Sequence, residues 1–378
     1  MKKKPSVLLV ITELQPAGAE KIVYTLATQL REDFSIHVAC LSHRRGEVGL
    51  WLESQNIPVF YLDLVRKYEG WKCWKLLRYL KENRFDLIHT HLFHANLLGK
   101  LCGWLAGCPH ILSTLHIVER RFRPWHFWLE RFTAPLMDYE VCVSQAVYRF
   151  AHERIKISLK KLKCIYNGIP LRPFQEAVEA YPQGLSLKAF LPDLEEEPEW
   201  VIGTVGRLSP QKGYPILLEA FLLCTQALSK QRIHLVFVGE GEQRKELELW
   251  VKRHRLEARI HFLGRRSDIP RCLRVFNVFV MPSLYEGFGL AAVEAMAAKV
   301  LVVASAVDSL PELIEEGKSG FLVPPHEPQR LAEKLQELFH SPWLFAPILE
   351  EAQRRAKDFQ EERMVEEYRA LYYHILSL

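Results

Sequence analysis

Short apolar runs bounded by turn residues alternate along nearly the whole chain with longer stretches in which apolar positions recur every three to four residues. The first pattern suits strands buried on both faces and the second suits amphipathic helices, so their alternation predicts repeated βα units around parallel sheets. In the first half, strands are expected at residues 7–12, 36–41, 59–64, 86–91, 110–116, 140–144 and 164–167, enough for one complete doubly wound domain. Residues 172–199 break this rhythm with Pro173, Pro182, Pro192, Pro198 and three consecutive glutamates at 195–197. A linker is expected there. A second series places strands at 200–206, 233–239, 260–263, 278–282, 300–304 and 321–323, and residues 348–376 read as one long charged, amphipathic helix after Pro347 that crosses back to the first domain. The expected fold class is α/β: two Rossmann-like doubly wound domains, residues 1–175 and 200–345, facing a central cleft, with a linker at 176–199 and a returning segment at 346–378.

Composition narrows this without changing it. A chain of 378 residues with 49% hydrophobic and 25% charged residues can build sizeable cores and is far from the composition of disordered chains. The net charge of +5 is too small for a general nucleic-acid coat, but it is unevenly spread. Residues 1–180 carry 26 basic and 17 acidic side chains, against 24 and 28 in the remainder, so the first half is suited to an anionic partner. The eight cysteines form no C-x-x-C pair and mostly sit in apolar runs, as expected of reduced thiols in a cytoplasmic protein. Lys2–Lys4 precede only five apolar residues before Thr12 and Glu13, which reads as a first strand and not as a signal peptide. No apolar run reaches membrane-spanning length; the longest candidate, 97–108, is interrupted by Lys100, and its Gly99, Gly103 and Gly107 suit close helix packing.

Three segments carry candidate chemistry. Residues 206–213, Gly206-Arg207-Leu208-Ser209-Pro210-Gln211-Lys212-Gly213, follow a strand and open a helix, so backbone N–H groups and two cations converge where a phosphate would be held; the order of Lys212 and its glycine excludes a Walker A loop. Gly239-Glu240-Gly241 ends another strand but lacks the third glycine of a dinucleotide fingerprint, which argues against a nicotinamide dehydrogenase. In residues 281–297 a strand delivers Glu286-Gly287-Phe288-Gly289-Leu290 into a helix of small residues containing Glu294. Free N–H groups at that helix start favour an anion, and flanking carboxylates favour vicinal hydroxyls, a combination that fits a nucleotide sugar.

With these pieces the chain resembles the retaining glycosyltransferases of family 4, also called group 1, over nearly its full length. The resemblance is carried by Ala17-Gly18-Ala19-Glu20, Asp86-Leu87-Ile88-His89-Thr90-His91, Ser113-Thr114-Leu115-His116, Val143-Ser144, Asn167-Gly168-Ile169, the Arg207 and Lys212 loop, Gly239-Glu240-Gly241 and the Glu286-x7-Glu294 motif. It implies a GT-B fold and transfer of a sugar from a nucleotide diphosphate sugar, expected to be a UDP-sugar, without a cofactor or metal. It further implies that Arg207 and Lys212 neutralise the diphosphate, that Glu294 accepts the ribose hydroxyls, and that Glu286 faces the transferred sugar. Backbone at Gly18, Gly206, Gly239, Gly241, Phe288, Gly289 and Leu290 would border the donor, and His116 would meet a donor-sugar hydroxyl. Of His89, His91 and His94, two are expected to be structural and one to approach the acceptor.

The chain departs from the family pattern in three places: the first of the usual paired glycines is Ala17, the usual G-x-P-V after the Glu294 helix is Ala298-Lys299-Val300-Leu301, and the glycine pair before Pro311-Glu312 is Asp308-Ser309. Rival readings on the same fold are a nucleotide-sugar epimerase or phosphorylase, or a non-catalytic nucleotide-sugar-binding protein. Residues 120–132 pack arginines and aromatics, among them Arg120, Arg121, Arg123, Trp125 and Trp128, just after His116. That mixture suits the headgroup boundary of an anionic inner-leaflet membrane, as expected for an enzyme reaching a saccharide or lipid-linked acceptor in cell-envelope polysaccharide, lipopolysaccharide or glycolipid synthesis. The alternative for this segment is a buried aromatic helix with a basic rim.

Overall fold

The computed structural model describes residues 4–64, 72–120 and 122–377. The chain divides into two compact units, residues 1–168 with 361–378 and residues 169–360. In the first unit, strands β1 (Ser6–Ile11), β2 (Ser35–Ser42), β3 (Val59–Leu64), β4 (Leu87–His91), β5 (His110–Leu115), β6 (Tyr139–Cys142) and β7 (Leu162–Cys164) form one sheet in the order β3-β2-β1-β4-β5-β6-β7. All its pairings are parallel. The second unit repeats the plan with β8 (Trp200–Val205), β9 (Ile233–Val238), β10 (Ile260–Phe262), β11 (Val278–Met281), β12 (Leu301–Ser305) and β13 (Phe321–Val323), ordered β10-β9-β8-β11-β12-β13 and again parallel. The inner strands of each sheet are buried on both faces, which explains why their sequences run apolar without alternation, while the edge strands β3, β7 and β10 keep half-buried or exposed positions. In each sheet the strand order reverses once, between β1 and β4 and between β8 and β11. The carboxyl ends of those strands border the crevice where open α/β sheets take ligands.

Three expectations about organisation change. Residues 169–199 belong to the second unit and include the helix Arg172–Ala180, which buries Phe174 and Ala177. The first unit's leading segment therefore ends at 168 instead of 175, and the stretch 176–199 is not a free linker. Its prolines and acidic run mark turns packed on the second unit: Leu185 N–H donates to the Arg274 carbonyl, and the Arg274 guanidinium donates to the carbonyl of Tyr181. The tail also breaks in two. Instead of one helix over 348–376, helix Phe345–Ala356 stays with the second unit and helix Glu361–Ile375 joins the first. Between them Gln360 is extended and bridges to Ile169, where the chain passes from one unit to the other.

The helix Glu361–Ile375 completes the first unit's core. Met364, Val365, Tyr368, Leu371, Tyr372 and Ile375 join Val7, Leu9, Leu26 and Phe34 in one buried cluster. On the sheet's other face, helix Phe93–Ala106 lies close to β4, because a Cβ on Gly99 would come within 2.4 Å of the Thr90 methyl. Lys100 does not interrupt this helix at the surface; it is wholly buried in an ion pair with Glu130, at 2.5 Å. All eight cysteines are free thiols.

Candidate active site

In the second unit, two loops leave the sheet at its reversal point and are stitched together. After β8 the chain runs through Gly206 to the short turn Pro210–Lys212, and after β11 it runs through Pro282 to Gly289 before helix Leu290–Ala297. Gly213 has φ +66 and a Cβ there would stand 2.0 Å from the Pro282 carbonyl oxygen, so only glycine allows this approach. The Leu284 N–H donates to the Gln211 carbonyl at 2.8 Å, and the Gln211 amide donates to the Tyr285 carbonyl at 3.0 Å. These contacts put Lys212 beside Glu286, Nζ to Oε1 at 2.6 Å. Ser283 donates its hydroxyl to the same oxygen at 2.7 Å. Glu286 is buried and held by charge-assisted bonds, which are the strong ones in a desolvated setting.

Gly239 and Gly241 serve the same assembly from the turn after β9. A Cβ on Gly239 would lie 1.9 Å from the Gly206 carbonyl oxygen, and one on Gly241 would lie 2.3 Å from that of Leu208. Backbone bonds from Gly206 N–H to the Val238 carbonyl and from Leu208 N–H to the Glu240 carbonyl lock the two turns together. Helix Leu290–Ala297 starts from Gly289 at φ +104 and buries Glu294 at its centre. Leu290 is half-buried and Phe288 buried, its ring edge-on to Phe359 at 5.5 Å, so the Phe288 side chain is taken up in packing. Arg207 is exposed on the loop preceding Lys212.

Several participants carried no signal of their own in the sequence. Ser283 and Gln211 act through hydrogen bonds that only the folded loops create. Tyr214 is buried with its hydroxyl beside Gly206, and burial pushes that phenol up, with the Glu286 charge adding to the rise. Asp308 and Ser309, legible only as departures from a family pattern, brace the glutamate loop: Asp308 accepts from the Glu286 N–H at 2.9 Å, and Ser309 donates to the Phe288 carbonyl at 2.8 Å. Asp308 has φ +44, a left-handed conformation that aspartate tolerates.

In the first unit, Gly18 opens helix Gly18–Gln29 directly after the β1 loop, with Ala17 in extended conformation at its cap. His91 ends β4 and His116 follows β5; Nδ1 of His91 and Nε2 of His116 are 3.0 Å apart. Leu92 then takes φ +72, a strained value for a branched residue, as the chain turns into helix Phe93–Ala106. Burial drives His91 well below the ordinary histidine value, with the His89 and His116 imidazoles adding to it, and burial brings His116 down to about 3. His89 is structural, bonded at Nδ1 to the Tyr372 hydroxyl (2.6 Å) and at Nε2 to the Thr114 hydroxyl (2.7 Å). His94 is exposed.

The arginine and aromatic segment forms helix Pro124–Thr133, whose inner side buries Glu130 and Thr133. Its outermost aromatics are not buried. Trp125, Trp128 and Phe132 are 52%, 61% and 65% exposed, three residues at helical spacing that line one outer face, and neighbouring helix Phe93–Ala106 adds exposed Trp104 and Leu105. Arg120 and Arg123 are exposed beside it, and Arg121 lies outside the described residues. At its inner end Phe93, two residues after His91, packs edge-on against Phe122 at 4.7 Å and His126 at 5.1 Å.

Two parallel α/β units, each with one reversal of strand order, define a protein of paired Rossmann-like domains. Comparison with known families makes this specific: residues 16–172 match "Glycosyltransferase Family 4" and residues 190–360 match "Glycosyl transferases group 1". The chain belongs to the group 1 glycosyltransferases and has the GT-B fold. It is 28% identical over 303 residues to an Escherichia coli UDP-Gal:alpha-D-GlcNAc-diphosphoundecaprenol alpha-1,3-galactosyltransferase, covering 77% of this chain and 76% of that one. It is likewise 28% identical to the D-inositol 3-phosphate glycosyltransferase of Jonesia denitrificans, covering 76% of this chain and 71% of that protein. Among solved structures, Anabaena Alr3699/HepE in complex with UDP-glucose superposes with a TM-score of 0.82 at 26% identity, covering 98% of this chain and 99% of that one. Its complex with UDP and glucose gives 0.84 at 24% identity, over 98% and 100% of the two chains. Among the described residues no helix is long and apolar enough to cross a membrane.

Proposed function

We propose that the protein is a retaining, metal-independent glycosyltransferase that moves a sugar from a UDP-sugar to a saccharide or lipid-linked acceptor in cell-envelope polysaccharide or glycolipid synthesis. The observation that carries this reading is Glu286, buried at the strand-order reversal of the second sheet and held between Lys212 and Ser283. Lys212 and Arg207 supply positive charge for a diphosphate, a task that a divalent cation performs in other enzymes. Glu294 receives the ribose hydroxyls and Glu286 the hydroxyls of the transferred sugar, while the N–H groups at Phe288–Leu290 face the phosphates and that sugar. From the first unit, Gly18 approaches the donor phosphate and His116 a sugar hydroxyl. The UDP, glucose and UDP-glucose complexes of the Anabaena neighbour support a uridine donor.

In the reaction the bond from the anomeric carbon to the phosphate oxygen breaks, and the acceptor oxygen bonds that carbon on the same face. The acceptor proton passes to the departing phosphate oxygen. Negative charge grows on the leaving group in the transition state, so fixed cations and N–H dipoles stabilise that state more than the ground state. The exposed Trp125, Trp128 and Phe132 with Arg120 and Arg123 support docking on an anionic membrane that presents the acceptor. The diphosphoundecaprenol acceptor of the E. coli relative supports the same reading.

The test is transfer from UDP-sugars with the product's anomeric configuration read by NMR, in the presence of EDTA. Lys212→Ala and Glu294→Gln are expected to lower turnover by about a hundredfold or more, since each loses charged contacts worth about 1.5 to 3 kcal/mol, and more where leaving-group charge develops. Near wild-type turnover in either variant, inverted product, free epimer or sugar phosphate as product, or activity lost to EDTA and restored by Mg²⁺ would each overturn a stated part of the reading.

A further inference from the structure

Glu286 has two carboxylate oxygens, and the folded chain uses them differently. Lys212 Nζ and the Ser283 hydroxyl both donate to Oε1, at 2.6 and 2.7 Å, while among the described residues nothing donates to Oε2. Each oxygen of an ionised carboxylate offers two lone pairs, so these two donors fill Oε1 and leave Oε2 whole. Donors divided one to each oxygen would have left both half used, and the group would have met a ligand equally with either. The Glu286 side chain keeps 7% of its exposure, so the carboxylate is buried without being sealed off.

The two donors differ in how firmly they hold. Lys212 carries a point charge on a flexible stem, with three N–H groups. Among the described residues its ammonium bonds Glu286 alone, and its side chain is 19% exposed, so an arriving anion competes with Glu286 for it. Ser283 is short, with one rotatable bond before its oxygen, and it is at 0% exposure, where its hydroxyl lies out of a ligand's reach. Its backbone is fixed on both sides. The Pro282 carbonyl abuts Gly213, and the Leu284 N–H donates to the Gln211 carbonyl at 2.8 Å. The Glu286 N–H is tied separately to Asp308 at 2.9 Å, so backbone and carboxylate are held from two directions. When an anion draws Lys212, the Ser283 bond is the one that keeps the carboxylate plane in place.

We propose that Ser283 is a positioning residue: it holds Oε1 of Glu286 toward the buried loop and so presents Oε2 alone to the transferred sugar. The ligand feature this selects is a hydroxyl, or two vicinal hydroxyls, donating to that single oxygen. Without the Ser283 hydroxyl the carboxylate pivots about a shared Lys212, and the sugar contact weakens. Contacts to the nucleotide and its phosphates, made by other groups, persist.

Ser283 has this role only if the second unit holds the donor as proposed above, and calorimetry on the full chain separates the two ideas. The probes are UDP, UDP-glucose, UDP-galactose and UDP-N-acetylglucosamine, the tightest of the three sugar nucleotides serving as the sugar probe. Ser283→Ala is expected to weaken the sugar probe by about tenfold, because a hydrogen bond to a charged group is among the stronger ones, and to leave UDP within about twofold. In a Glu286→Ala background the same change should cost less than about twofold, since a residue acting through Glu286 has nothing left to act on. Equal weakening of UDP and the sugar probe would make Ser283 a brace of the loop and overturn the proposal. An unchanged affinity for the sugar probe, or an equal loss with and without Glu286, would overturn it as well. A wild-type chain that binds neither UDP nor any of the three sugar nucleotides would refute the donor reading itself, and the role of Ser283 with it.

Discussion

Lys100, Glu130 and Glu140 meet in the interior of the first unit. Lys100 and Glu130 are paired at 2.5 Å, and Glu140 is fully buried with neither carboxyl oxygen hydrogen-bonded to a described residue. Desolvation raises Glu140 to about 8, against the pull of Lys100 and with the Glu130 charge adding to the rise. The folded value lies above the ordinary 4.5, so between these limits the native state binds more protons than the unfolded one. Stability then falls as pH rises from about 4.5 to about 8, by up to about 1.4 kcal/mol per unit, and is flat above. Glu140→Gln keeps the shape and removes the proton exchange. Urea unfolding as a function of pH is expected to show a shallower decline in this variant, with a gain over wild type at about pH 8 that vanishes near about pH 4.5. Parallel curves for the two proteins would count against the assignment. None of this was visible in the sequence, where Lys100 read as an interruption of an apolar run.

Among single elements, the helix carrying Glu294 ends in a Schellman motif. The Val300 N–H donates to the Ala295 carbonyl, the Lys299 N–H donates to the Met296 carbonyl, and Lys299 takes φ +52. A side chain in that left-handed position costs about 1 kcal/mol, so Lys299→Gly is expected to stabilise the protein by roughly that amount in thermal unfolding while leaving the backbone path unchanged. The helix Pro124–Thr133 makes a different kind of prediction. Co-sedimentation should show binding to anionic vesicles, weaker binding to neutral ones, and a loss of about tenfold or more in anionic binding when Trp125, Trp128 and Phe132 become Ser, since each exposed aromatic removed also removes apolar area from the interface. Equal binding of variant and wild type would place the acceptor in solution.

For the molecule as a whole, the chain's last helix governs whether the first unit folds. Residues Glu361–Ile375 bury Met364, Val365, Tyr368, Leu371, Tyr372 and Ile375, each worth about 1.5 to 3 kcal/mol on burial. Their sum is comparable to the entire stability of a typical domain, about 5 to 15 kcal/mol. A chain ending at Gln360 is therefore expected to lose the cooperative unfolding of the first unit and to yield a protease-resistant fragment confined to residues 169–360. Retention of the wild-type melting profile would show that the helix is dispensable. The truncation would also remove Tyr372 from His89, the ring behind the His91 and His116 pair.

The parallel α/β class, the two series of strands and the loops that bear Glu286, Glu294 and Lys212 were legible in the chain's pattern, because they depend on local periodicity and on residues close together in the sequence. The same pattern placed the basic, aromatic segment on the first unit. Contacts between distant positions needed the folded chain: Lys212 against Glu286 across 74 positions, the fit of Gly239 against Gly206, and the pairing of His91 with His116. So did the outward facing of Trp125, Trp128 and Phe132, which a helical spacing of aromatics leaves open, since either face of the helix could have met the core. The tail followed the same rule. Its amphipathic pattern announced helix, but which core each half would enter depended on apolar faces left uncovered by strands far earlier in the chain.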